Sequence, residues 1–155
     1  MLSALRHHRC FDGTFDGAGA AAIWLRGIAA TERLPEKLVF AIELCLEELF
    51  TNVVRYGGDG RGPHGQKLPL SVDVAVELTE NGVELVVGDN GATFDVSHAA
   101  SAPAHPPLDE VAPGGLGIQL IRSFSDDLLY EPLPNGNRVI VKFLRQEPHD
   151  AKAGV

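Results

Sequence analysis

Glu47-Glu48-Leu49-Phe50-Thr51-Asn52-Val53-Val54-Arg55-Tyr56-Gly57 is the stretch on which the rest of the chain can be hung. Its apolar residues continue a rhythm of three- and four-residue steps, Leu38, Ile42, Cys45, Leu49 and Val53, which is the signature of a helix with one buried face. Pro35 suits the first turn of that helix, and Glu36 stands at the positive end of its dipole. Gly57 and Gly58 punctuate its end, so the pattern predicts a helix over Pro35–Tyr56. Glu48, Asn52 and Tyr56 recur every four residues and drift slowly around the cylinder. At about 100° per residue, Asn52 and Tyr56 fall on the border of the apolar face. A carboxylate and an amide at a half-buried edge need partners, which either a ligand with its metal or a neighbouring loop can supply. Glu43, Glu47 and Arg55 lie on a more exposed face and read as solvated.

Upstream, Leu2–Phe15 reads as a strand that enters a glycine-rich turn at Gly13–Gly19. Ala18–Glu32 then reads as a first helix, with Ile23, Trp24, Ile28 and Ala21 or Ala22 on its buried stripe. Downstream, a polar loop over Asp59–Lys67 precedes two strand-like runs, Pro69–Leu78 and Val83–Asp89. Asn81-Gly82 between them is a hairpin signal. Val96–Pro113 has little periodicity and reads as a long loop of the kind that serves as a lid or is disordered. A short helix over Leu116–Phe124 follows, then strands over Asp127–Glu131 and Arg138–Leu144 around the turn Pro134-Asn135-Gly136-Asn137. Helices grouped with hairpin-linked strands predict an α+β two-layer sandwich, not a strict βαβ alternation.

Two further clusters carry chemistry. Gly88-Asp89-Asn90-Gly91-Ala92-Thr93-Phe94-Asp95 closes an apolar strand, and an Asp there can accept polarised N–H donors from an amino-substituted ring. Asp-Asn-Gly is also a common turn. Gly114-Gly115-Leu116-Gly117-Ile118 opens a helix, where free N–H groups and the positive dipole end suit an anion; a simple hinge reads equally well. The spacing is neither the dinucleotide fingerprint nor Walker A.

Composition narrows the classes. The 155 residues are 45% hydrophobic and 22% charged, the make-up of one soluble domain. A net charge of −8 without a basic stripe argues against direct nucleic-acid binding. The small group Arg6-His7-His8-Arg9 reads either as a solvated terminus or as a patch. Cys10 and Cys45 form no disulfide or zinc pattern, and the histidines suggest no metal site. No run of about 18 apolar residues occurs, so neither a membrane span nor an export signal is expected, and the cytoplasm is the expected location. A single domain over residues 1–145 with a flexible tail over 146–155 is expected.

In their order, these three clusters resemble the N, G1 and G2 boxes of the GHKL, or Bergerat, ATPase superfamily, and the chain is most similar to the anti-sigma-factor serine kinases. The matching stretches are residues 47–57, Asp89–Asp95 and Gly114–Arg122. The resemblance implies the Bergerat sandwich, a mixed and mostly antiparallel sheet covered by helices on one face. It implies ATP and Mg²⁺ as cofactors, with Asn52 holding the metal against the triphosphate and Glu48 as the catalytic general base. Asp89 would accept from the adenine amino group, and Gly91 would let the base approach the backbone. Gly115 and Gly117 would turn N–H groups to the phosphates. Asn137 stands near the place of a Thr beside adenine in relatives, Tyr56 stands where many carry His, and the Val96–Pro113 lid has no Lys or Arg. A cationic contact to the γ-phosphate would then come from Arg122, Arg55 or a partner. The implied partners are a small anti-sigma-factor antagonist as substrate and a sigma factor as held client, with room for a homodimer. A non-catalytic nucleotide-sensing module is the second reading. No phospho-acceptor His helix of a sensor kinase is visible, so a stand-alone domain is expected.

Overall fold

The computed structural model describes residues 4–93 and 115–145. The element order is β1 (Leu5–Asp12), α1 (Phe15–Thr31), α2 (Glu36–Tyr56), β2 (Gly60–Arg61), β3 (Lys67–Leu68), β4 (Ser71–Leu78), β5 (Gly82–Asp89), α3 (Gly115–Phe124), β6 (Asp127–Leu133) and β7 (Gly136–Leu144). Five strands form one sheet in the order β1-β4-β5-β7-β6, and β2 and β3 form a separate small hairpin. Each neighbouring pair in the large sheet runs antiparallel, so the expected antiparallel character is complete across these strands. The three helices pack on one face, giving the α+β sandwich the hairpins and helix patterns predicted.

Alternation builds the seam between the layers. Val72, Val74 and Val76 of β4, Val83, Leu85 and Val87 of β5, and Val139, Val141 and Phe143 of β7 all point to the helices and are buried. Against them lie Ile42, Cys45, Leu49 and Phe50 of α2, with Ile118 and Ile121 of α3. The periodic face read for α2 is therefore the core face, widened by Ala41, Leu46 and Phe50.

The start of the chain differs from expectation. The first helix begins at Phe15, because the Thr14 hydroxyl accepts from Gly17 N–H at 3.0 Å and caps it. Gly17 and Gly19 thus belong to its first turns, not to a loop. Ile23, expected inside, is 71% exposed; the buried stripe is Ala21, Leu25, Ile28 and Ala29, with Trp24 half covered. The small alanines and glycines around Ile23 carried too little contrast to set the helix phase. Arg6, His7, His8 and Arg9 lie within β1, paired to β4, where His7 Nε2 meets Glu32 Oε1 at 3.1 Å and His8 Nε2 meets Asp73 Oδ1 at 3.4 Å. The loop expected over Asp59–Lys67 carries the small β2–β3 hairpin. The Val96–Pro113 lid and the tail from Gln146 onward lie outside the described residues.

Candidate functional site

The site begins where two apolar rows turn polar together. β5 and β7 pair so that Leu85 faces Val141, Val87 faces Val139, and Asp89 faces Asn137. Asp89 and Asn137 thus occupy the next inward rung after the core, beside the second half of α2. There Leu49, Val53, Val87 and Val139 form apolar walls, and Asn52, Tyr56, Asp89 and Asn137 add polar groups, around a narrow, partly open pocket. Apolar walls with a few convergent polar atoms suit a flat heteroaromatic ligand.

Asp89 is held from two sides. Its Oδ1 accepts from Gly91 N–H at 2.8 Å and from Asn137 Nδ2 at 3.0 Å. Burial raises its carboxyl above the ordinary aspartate value of 3.8, and the two donors act in the opposite direction. Asn137 is 4% exposed. Its Nδ2 also donates to the Ala92 carbonyl at 2.8 Å, and its Oδ1 accepts from the Tyr130 hydroxyl at 2.7 Å. Asn137, expected near the base, is thus anchored within the protein at the edge of the pocket.

Asn52 is the opposite case. Its side chain is buried, and among the described residues its Nδ2 has no hydrogen-bond partner. A buried amide nitrogen left unpaired costs roughly 1–3 kcal/mol, so this donor at the pocket wall calls for an acceptor.

Glu48 lies one turn earlier on α2 and does not line this pocket. It reaches the start of α3 instead: a methyl on Gly117 would run into Glu48 Oε2 and come within 3.3 Å of its Cδ. Gly115 is the first residue of α3. A carboxylate therefore stands beside the helix end that carries free N–H groups and partial positive charge. Gly91 is explained by packing. A Cβ there would sit 2.8 Å from the Gly57 carbonyl oxygen and 2.9 Å from its Cα, and the adjacent Ala92 N–H donates to that carbonyl at 2.8 Å. Tyr56 is 39% exposed at the pocket rim. Arg55 and Arg122 are exposed, and among the described residues neither pairs with a carboxylate. No group of three or more His, Cys, Asp or Glu able to hold a metal occurs among the described residues.

A family profile described as "Histidine kinase-like ATPase domain" matches residues 15–143, from the start of α1 to the next-to-last residue of β7. The chain belongs to that family. This histidine kinase-like ATPase domain is 32% identical over 111 residues to "Serine/threonine-protein kinase BtrW" of Bordetella bronchiseptica, covering 72% of this chain and 74% of the relative. It is 25% identical over 138 residues to "Serine-protein kinase RsbW" of Bacillus pumilus, covering 85% of this chain and 82% of the relative. Among solved structures, the histidine kinase domain of the Erythrobacter litoralis EL346 blue-light activated histidine kinase aligns with a TM-score of 0.50 at 14% identity. That alignment covers 81% of this chain and 58% of the other, and it speaks for the fold alone. No helix among the described residues of the domain is long and apolar enough to cross a membrane.

Tyr130 is the site residue that sequence reading missed. It sits in β6, far from the three motifs, and only the β6–β7 register brings its hydroxyl to Asn137.

Proposed function

We propose that the chain is an ATP-dependent protein-serine kinase of the anti-sigma-factor type. Its substrate would be a small antagonist protein and its held client a sigma factor, so that transcription is regulated by partner switching. The observation that carries the reading is the buried side-chain nitrogen of Asn52, left without a hydrogen-bond partner among the described residues, in the wall of a pocket that the Asp89 carboxylate also lines. Relatives named serine-protein kinases lend it support.

Asp89 accepts from an exocyclic amino group of adenine while the valines and Leu49 cover the ring faces. The N–H groups at Gly115 and Gly117 meet the phosphates. Asn52 would hold Mg²⁺ through its side-chain oxygen, as one of the one or two protein ligands this ion commonly takes beside phosphates and water. Bound there, the ion would supply positive charge against the phosphates. Glu48 is the general base. It takes the proton as the serine oxygen bonds to the γ-phosphorus and the bond to the β,γ-bridging oxygen breaks.

Melting the native chain and Asn52→Ala with and without Mg-ATP tests the nucleotide site. Ligand at 100 times its dissociation constant adds roughly 2.7 kcal/mol, a rise of several degrees in the native chain that Asn52→Ala abolishes. Phosphoserine on the cognate antagonist, lost in Glu48→Gln, tests the kinase step. Normal partner binding and release by Glu48→Gln would instead favour the non-catalytic module.

A further inference from the structure

Asn137 is held with its two ends in contrasting surroundings. Around Nδ2 stand two acceptors, Asp89 Oδ1 and the Ala92 carbonyl, and around Oδ1 stands the Tyr130 hydroxyl. The ends of an amide are alike in shape and opposite in hydrogen bonding, so its orientation is set by what surrounds it. Turned over, Asn137 would bring its oxygen against a carboxylate and a carbonyl, with no proton among the three. Held as it is, it ties up Oδ1 of Asp89 together with the Gly91 N–H. Among the described residues no hydrogen bond reaches Asp89 Oδ2, which stays available to a ligand donor.

The donor to Asn137 Oδ1 comes from a neighbouring strand by a diagonal reach. The residue directly opposite Asn137 on β6 is Pro132, whose side chain has no proton to give, while Tyr130 pairs with Val139. A tyrosine at 130 has the length to span the two residues along the ladder. Its ring packs against the core, which places the hydroxyl firmly.

We infer that Tyr130 is a positioning residue for base selection: through the Asn137 amide it holds the Asp89 carboxylate in the orientation that accepts a purine amino group. The inference rests on the ATP reading above and adds to it a residue that touches no ligand. Without the hydroxyl, the buried Asn137 oxygen lacks this donor, the amide is oriented less firmly, and its hold on the Asp89 carboxylate loosens.

The test compares ATP with the triphosphate of purine riboside, which lacks the 6-amino group, in the native chain and in Tyr130→Phe, with melting temperatures recorded for both. The native chain should prefer ATP by about tenfold, the weight of one well-made hydrogen bond. In Tyr130→Phe the preference should fall to within about threefold of parity, with the loss confined to ATP. A tyrosine that merely fills space would weaken both nucleotides together or neither. Asn137→Ala should collapse the preference in the same way, and adding Tyr130→Phe to it should change nothing more. A preference that survives in folded Tyr130→Phe, or in Asn137→Ala should the first variant fail to fold, overturns the inference. Failure of the native chain to bind either nucleotide overturns the ATP reading itself, an outcome distinct from a preserved preference.

Discussion

Successive rungs of the β5–β7 ladder behave as different materials. Leu85–Val141 and Val87–Val139 are sealed and apolar, and the next inward rung, Asp89–Asn137, is polar with one member ionisable. Backbone pairing is the same along all of them. What changes is the side-chain pair, and with it the role of each rung. The inner rungs supply cohesion, and on the proposed function the end rung gives up part of that cohesion for recognition. A half-buried carboxylate is tolerable here because two N–H donors meet it and the sealed rungs alongside hold the strands in register.

The largest effect should come from the sealed rungs. Leu85→Ala removes a fully buried side chain and should cost about 3 kcal/mol in urea unfolding. A cost below about 1 kcal/mol would mean that this row is not the seam of the fold. At the polar rung the sign should reverse. Asp89→Asn keeps an oxygen for the Gly91 and Asn137 donors and removes the buried charge, so the ligand-free chain should melt higher at pH 7. ATP should meanwhile bind at least about tenfold more weakly. A lower melting temperature would erase the contrast between the rungs.

A pH series sharpens the same comparison. Because burial raises the Asp89 carboxyl in the folded chain above its ordinary value, the folded state holds this proton more readily than the unfolded state. Stability contributed at this position is therefore gained as pH falls through the raised value and lost as pH rises through it. The melting advantage of Asp89→Asn over the native chain should be widest near neutrality and shrink in acid. ATP affinity of the native chain should weaken as the carboxylate protonates, at a pH above the ordinary aspartate range. A gap that is constant with pH would show that charge is not what separates the rungs.

The smallest effect concerns the thiols. Burial pushes Cys45, within the sealed core, up to about 12, whereas Cys10 is exposed on β1. Native-state alkylation at pH 8 should label Cys10 and spare Cys45. Labelling of Cys45 on the same timescale would show that the core opens locally.

Much of the architecture was legible because its signals are local. The α2 stripe from Leu38 to Val53 and the valine alternation of β4 needed no knowledge of neighbours. Asp89 could be singled out because a carboxylate closing a valine run is conspicuous in one dimension. Asn137 emerged only through family likeness, and the reason it lies against Asp89 is a register between strands some fifty residues apart in the chain, which no window of sequence contains. Tyr130 was invisible for the same reason. α1 went wrong at both scales: the Thr14 cap was overlooked beside its glycines, and a run of alanines left the phase around Ile23 undetermined. The close fit of Gly91 on Gly57 adds a packing demand at a glycine that the sequence marks for ligand access.

That fit has a mechanical consequence. With Gly91 lodged against Gly57 and Ala92 bonded to its carbonyl, the end of α2 and the end of β5 are riveted together. Asn52 lies little more than one turn back along the helix from this rivet, and Asp89 lies two residues back along the strand. These contacts hold the spacing between Asn52 and Asp89, and on the proposed function that spacing would select a molecule by its length as well as by its chemistry.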